Sequence, residues 1–517
     1  MTLVAMLRRS WDEHAGLPLL IAGIVLLVHL YTNLFAGYGY FRDELYYLAC
    51  TEHLDIGYVD QPPLSIYILA VIRWTIGDSL FALRLLPAVL AAGLVVLTAM
   101  MAVRMGGGKT AAALAAMGSA AAPVIIGMAG NYSMNTLDLF AWSVAAYAAI
   151  RLLQTESPRC WLFLGLALGV GALNKIGILW FGTGIAIGFL FSPMRRWYAT
   201  KWPYVAAGIV FLCFLPFAIW NFTHDFAHLQ FIHNATSGKY SGLNPLSFLS
   251  GQVVLLNPLA FPLWFSGLLG LLFWKPLRPY RALGVAYLVC VAILIANWHS
   301  KAEYLGAAYP MLFAGGGVVL ERFFSHARRM WMAPAYAGVL AVTGIVFAPF
   351  ALPILPVDTY IAYAQVMGMA PSTAEGIPLA ELPQYFGDMF GWPEKAAAVA
   401  QAFHALPPSD QARCAIFADN YGRCGALDFF GSHYGLPHAV GRHNSYWLWG
   451  PGNYTGEVML ILGGNLRDKQ EVFTRVEIVG TVHSKYCLPY ENNLNIYLCR
   501  GLRVPLKELW AKIRNYS

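Results

Sequence analysis

Apolar stretches about as long as a bilayer is thick recur along this chain, and that recurrence fixes its fold class before any other feature. A helix needs about 20 apolar residues to cross the hydrocarbon core. Stretches of that order run over 17–36, 84–103, 110–129, 137–153, 160–174, 176–192, 203–220, 251–273, 282–297, 304–320 and 331–352. Inside lipid each backbone N–H and C=O must be satisfied within its own segment, so these stretches are expected as helices. The expectation is a polytopic α-helical membrane protein with about eleven spans within residues 1–355. A composition that is 58% hydrophobic, with a mean hydropathy of +0.54, agrees. The stretches 160–174 and 176–192 are short and share a break at Asn174-Lys175. The first stretch is too long for a cleavable signal peptide and lacks a small-residue cleavage site.

Basic residues set the expected orientation. With these spans, Arg8, Arg9, Arg104, Lys109, Arg151, Arg159, Arg195, Arg196, Lys201, Lys275, Arg278, Arg281, Arg322, Arg328 and Arg329 fall on one side. Up to residue 357 the opposite side receives only Arg42, Arg73, Arg84, Lys175, Lys239 and Lys301. The richer side is cytoplasmic by the positive-inside rule. The formal net charge of +7 follows from this topology and gives no reason to expect a nucleic-acid partner. The expected location is a bacterial inner membrane, with any chemistry facing outward.

Only 12% of the residues are charged, yet the outer loop 37–83 gathers Asp43, Glu44, Glu52, Asp55 and Asp60. Carboxylates held at lipid are costly unless they act, so the loop is a candidate active site; the plainer reading is a solvated juxtamembrane loop. Other outward polar groups are Asp138 at the start of a span, Lys175 at the break, and His224, Asp225, His228 and His233 in a later loop. Lys301, Glu303 and Tyr304 precede the tenth stretch. Singly, Asp138 could cap a helix, Lys175 could snorkel and the histidines could decorate a wet loop. Together they fall on one face of the membrane.

From about Pro356 the long apolar runs stop. Residues 415–418, 458–462, 476–479 and 495–498 read as strands, and 506–513 as a closing helix. Residues 356–517 are therefore expected to form an extracytoplasmic α/β domain. Its four cysteines, Cys414, Cys424, Cys487 and Cys499, lie where disulfides are permitted, with three pairings open.

These residues carry a resemblance. The chain resembles the bacterial membrane glycosyltransferases of the GT-C fold, the group that holds the aminoarabinose transferase of lipid A and the protein O-mannosyltransferases. The matching features are the pair Asp43-Glu44, the stretch Tyr58-Val59-Asp60-Gln61-Pro62-Pro63-Leu64, Asp138, Leu173-Asn174-Lys175-Ile176-Gly177, and the region from Tyr304 to Glu321. The exported stretches Asp419-Asn420-Tyr421-Gly422 and His443-Asn444-Ser445-Tyr446-Trp447 resemble the tail of a bacterial subgroup. Two positions depart from the aminoarabinose transferases. Gln61 stands where they have a lysine, and Tyr46 where they have an arginine, so the departure touches the sugar and acceptor more than the reaction class.

The resemblance implies inverting transfer of a sugar from a polyprenyl-phosphate donor to a hydroxyl on an envelope lipid or glycan. One carboxylate base suffices for a single displacement, and it also steadies the cation-like transition state. On this reading Asp43 is the general base and Asp138 the alternate base or its orienting partner. Glu44 holds the loop, Asp60 meets sugar hydroxyls or a divalent cation, and Lys175 neutralises the leaving phosphate. Arg42, Gln61, Lys301 and Tyr304 complete the donor-binding set. A divalent cation is compatible with the carboxylates, and no other cofactor is implied. A soluble nucleotide sugar is disfavoured, since no glycine-rich phosphate loop opens a helix after a strand. The alternative within the class is a protein O-glycosyltransferase. Outside it stand a lipid-linked sugar flippase and a scaffold that displays the tail domain. Transporters usually carry their polar groups at mid-membrane, whereas here they collect at one surface.

Overall fold

The computed structural model describes residues 11–239, 244–326, 328–373 and 377–517. Arg8 and Arg9, used above for orientation, lie outside the described residues, as does the side chain of Lys239. Backbone contacts divide the chain into two compact units. The first comprises Met1–Ala36, Phe81–Ile219 and Gly242–Pro356. The second comprises Gly37–Leu80, Trp220–Ser241 and Val357–Ser517. The acidic segment Gly37–Leu80 is thus folded together with the C-terminal segment, although sequence order alone attaches it to the membrane part.

The first unit is helical. Gly16–Phe35, Leu80–Arg104, Met134–Thr155, Trp202–Thr223, Arg278–Ala296 and Met332–Ala351 are each long and apolar enough to cross a membrane. Among the described residues, two bent pairs, Ile178–Leu190 with Pro193–Ala199 and Pro245–Leu255 with Pro258–Phe273, raise six such elements to as many as eight. The protein is therefore a multi-pass membrane protein. About eleven spans were expected; the expected stretches are largely helical, but several are interrupted or short. The stretch 110–129 becomes Lys109–Ala120 and Pro123–Met128, because Pro123 pushes Ala122 into extended backbone. The stretch 251–273 bends by 95° where Asn257, at a φ of 69°, precedes Pro258. Pro158–Asn174 stops at Lys175, which is extended. The stretch 304–320 opens as a 3₁₀ turn, Ala302–Ala308, before the helix Tyr309–His326.

Packing within this unit relies on small residues, as expected where lipid supplies no hydrophobic drive between helices. Gly184 and Gly188, one turn apart, face Ala286 and Ala282; a Cβ on Gly188 would come within 2.6 Å of the Ala282 carbonyl oxygen. Glu321 caps a neighbouring helix, accepting from the N–H groups of Gly108 at 2.7 Å, Thr110 at 3.1 Å and Ala111 at 3.2 Å. A carboxylate there satisfies orphan donors and complements the positive end of the helix dipole.

The second unit holds two helices from the acidic loop, Arg42–Glu52 and Leu64–Thr75, and a five-stranded sheet. The strands are β1 (Cys414–Ala418), β2 (Ala439–Gly441), β3 (Val458–Leu462), β4 (Phe473–Val482) and β5 (Leu494–Leu502), in the order β2-β1-β3-β5-β4. β2, β1 and β3 run parallel, and β5 and β4 continue antiparallel. β1 and β3 are buried along their whole length, as continuous apolar runs predict for parallel strands covered on both faces. β2 is three residues long and gave no strand pattern in the sequence. Helix Leu506–Lys512 closes the chain and sends Trp510 into the core beside Phe417 and Tyr497. All eight cysteines are free, and Cys424 instead sits 3.5 Å from the Ala418 carbonyl oxygen.

Candidate active site

The residues singled out in the sequence gather into two clusters, one in each unit. In the second unit the sharp start of helix Arg42–Glu52 positions the first cluster. Phe41 is extended, and the Glu44 carboxylate reaches back to accept from its N–H at 2.8 Å, which makes Glu44 the structural anchor of the turn. Glu44 is fully buried, whereas the Asp43 side chain keeps 35% of its surface open. The Tyr421 hydroxyl donates to Asp43 Oδ1 at 2.9 Å, and Arg42 Nε lies 3.8 Å from the same oxygen.

Arg42 is held by protein groups. Its Nη1 donates to the Tyr490 hydroxyl at 2.9 Å and lies 3.6 Å from Asp388 Oδ1, and its guanidinium stands 5.4 Å over the Tyr421 ring. Burial opposes its charge, but Asp388 and the neighbouring groups outweigh this and hold its pKa well above the usual value. Tyr46, where an arginine was expected, is buried, and its hydroxyl donates to Asp60 Oδ1 at 2.8 Å and lies 2.8 Å from Ser445 Oγ. Gln61 is fully buried, with Ser65 Oγ 3.5 Å from its Oε1 and, among the described residues, no partner for its Nε2.

The second cluster lies in the first unit, where helix Met134–Thr155 meets the break after Asn174. Ser133, not Asp138, caps the helix, accepting from Asn135 N–H at 3.2 Å. Asp138, one turn further on, is buried and accepts from Trp142 Nε1 at 3.0 Å. Asn174 Nδ2 ties the break to the Met134 carbonyl at 2.8 Å. The break aims Lys175 Nζ at Asn135 Oδ1, 2.7 Å away, and places it 4.7 Å over the Tyr304 ring. Asp138, Glu303 and Lys301 are the charged groups that act on it. Lys175, Asp138, Lys301 and Tyr304, distant in sequence, are therefore one electrostatic group.

Two of the loop histidines serve local structure. His228 is buried, and its Nδ1 donates to the Val59 carbonyl at 2.9 Å. His224 stacks on Trp220 at 4.3 Å between ring centres. Among the described residues no three or more His, Cys, Asp or Glu side chains group as a metal site. Sequence reasoning assigned no role to Tyr421, Asp388, Tyr490 or Ser445. Tyr421 and Ser445 fall inside the two tail stretches quoted for their resemblance, which is the one signal that pointed at them.

Residues 60–220 match the family model described as dolichyl-phosphate-mannose-protein mannosyltransferase, a range that holds Asp60, Gln61, Asp138 and Lys175. The chain is 26% identical over 253 residues to the lipid A galacturonosyltransferase RgtD of Rhizobium johnstonii, covering 47% of this chain. It spans about half the length of that curated relative, 52%. Its fold is that of ArnT from Cupriavidus metallidurans. The match to the structure bound to undecaprenyl phosphate has a TM-score of 0.62 at 14% identity, covering 93% of this chain and 97% of the other. The match to the apo structure has a TM-score of 0.60 at 15% identity, covering 96% and 98%. The protein thus has the GT-C-like architecture of ArnT, with a small C-terminal sheet domain.

Proposed function

We propose that this GT-C-like membrane protein is an inverting glycosyltransferase, moving a sugar from a polyprenyl-phosphate donor to a hydroxyl on an envelope lipid or glycan at the outer face of the bacterial inner membrane. The observation that carries the proposal is the state of Asp43: one oxygen is fixed by Tyr421 and Arg42, while a third of the side chain stays open. That is what a general base needs, a set orientation together with access to the proton it removes. The acceptor oxygen bonds to the anomeric carbon as the bond from that carbon to the phosphate oxygen breaks. The bonding pair leaves with the phosphate, and the acceptor's proton passes to Asp43. The resemblance gives the answering cation to Lys175, on which Asp138 acts within the first unit.

The ArnT neighbour's undecaprenyl phosphate supports a polyprenyl-phosphate donor, and the activity named for RgtD supports lipid A as the first acceptor to test. The family description over residues 60–220 favours a second reading, transfer to protein hydroxyls. The test is transfer of labelled sugar from a synthetic polyprenyl-phosphate donor by the purified protein. Label in lipid supports the first reading and label in protein the second. A protein that moves the donor across vesicles without transferring sugar is a flippase. Asp43→Asn is expected to lower turnover by about a hundredfold, the usual scale for a lost general base. Orientation is tested with cysteines at Glu52 and Arg195, which an impermeant thiol reagent should label from opposite sides.

A further inference from the structure

Open α/β sheets generally offer the crevice at the carboxyl ends of their parallel strands to a ligand. In the second unit that edge is occupied by the protein's own helix Arg42–Glu52. The segment leaving β1 brings Tyr421 to Asp43, and the segment leaving β2 brings Ser445 to Tyr46. The approach is close: a Cβ on Gly425 would lie 2.7 Å from the Leu45 carbonyl carbon and oxygen.

The Tyr421 side chain is itself held on several sides. Its ring lies 4.9 Å from that of Tyr46 and 4.8 Å from that of His443, with Arg42 over its face at 5.4 Å. His443 is fixed in turn by Nε2, 2.7 Å from the carbonyl oxygen of Ser517. Tyr421 therefore has little freedom to turn, and its hydroxyl proton is directed at one oxygen of one carboxylate.

We infer that the C-terminal domain supplies a positioning residue for the reaction: Tyr421, by donating to Asp43 Oδ1, sets the rotamer of the base so that Oδ2 is presented to the acceptor hydroxyl. This rests on the proposed role of Asp43 and gives the domain a part in turnover besides any part in binding the acceptor. Without the hydroxyl, Asp43 rotates among staggered conformers, and only some of them aim an oxygen at the acceptor. The loss then falls on kcat, because donor binding does not depend on that rotamer.

The test is steady-state kinetics of the full-length purified protein carrying Tyr421→Phe, Asp43→Asn, or both. Tyr421→Phe keeps the ring, and with it the contacts to Arg42, Tyr46 and His443. The expected result is a kcat about tenfold lower with donor KM and thermal midpoint unchanged, and no further loss when Tyr421→Phe is added to Asp43→Asn, since residues acting as one unit are not additive. Full turnover in Tyr421→Phe beside a crippled Asp43→Asn overturns the inference while leaving the base assignment standing. An equal fractional loss from Tyr421→Phe in both backgrounds assigns the effect to general structure and also overturns it. Near-normal turnover in Asp43→Asn removes the base assignment itself, and the inference with it.

Discussion

Lys175 Nζ stands 4.7 Å above the centre of the Tyr304 ring and donates to Asn135 Oδ1 at 2.7 Å. The ammonium is held by an aromatic face and a neutral amide, while Asp138, Glu303 and Lys301 act on it from around. A snorkelling lysine would send its charge to open water, whereas this one is turned onto protein groups. Lys175→Ala is expected to raise donor KM, and Lys175→Arg to recover part of the loss, because the charge survives the change of shape. Donor-concentration kinetics on both variants check this. An unchanged donor KM in the alanine variant would hand the phosphate to Lys301.

Asp138 is buried with one oxygen on Trp142 and acts electrostatically on Lys175. Asp138→Asn keeps the shape and removes the charge. If the two aspartates act as a unit, its turnover should fall about as far as that of Asp43→Asn, roughly a hundredfold. Near-normal turnover in Asp43→Asn beside an inactive Asp138→Asn would move the base to Asp138.

Tyr46 ties the outer-loop helix to Asp60 and to Ser445 of the tail domain. Tyr46→Phe takes the hydroxyl away from buried Ser445 and part-buried Asp60, at an expected cost of about 1–3 kcal/mol. A lowered thermal midpoint in detergent with donor KM unchanged is the predicted outcome. A raised donor KM instead would mean that Tyr46 meets the donor.

His228 supplies a pH dependence. Burial pushes its imidazole down from 6.5 to about 4, against the favourable bond to the Val59 carbonyl. The unfolded chain therefore binds a proton between pH 6.5 and about 4 that the folded chain refuses. Stability from this group is fully present above 6.5 and is lost as pH falls towards 4, at up to about 1.4 kcal/mol per pH unit. The thermal midpoint should drop over that window, and His228→Asn should flatten the drop. An equal slope in the variant would assign the acid sensitivity to other groups.

The apolar lengths of this chain determined a helical membrane protein, because lipid leaves the backbone no alternative. The buried strands β1 and β3 were legible for a related reason: a five-residue apolar run bounded by polar turns has few other uses. The acidic loop, Asp138, Lys175 and Tyr304 also stood out as polar groups beside apolar stretches, since charge beside lipid demands an explanation. Contacts between distant segments could not be read this way. Tyr421 meets Asp43 across 378 positions and Lys175 meets Asn135 across 40, and no periodicity encodes such a distance. That Arg42 meets Asp388 and Tyr490, and that the Tyr46 hydroxyl meets Asp60 and Ser445, was equally beyond local pattern. Local pattern fixes which segments are buried and which are wet, because burial depends on each segment's own composition. Which oxygen of which carboxylate is held, and by whom, depends on the closing of long loops and on the packing of one sheet edge against one helix. Only the tertiary structure decides that.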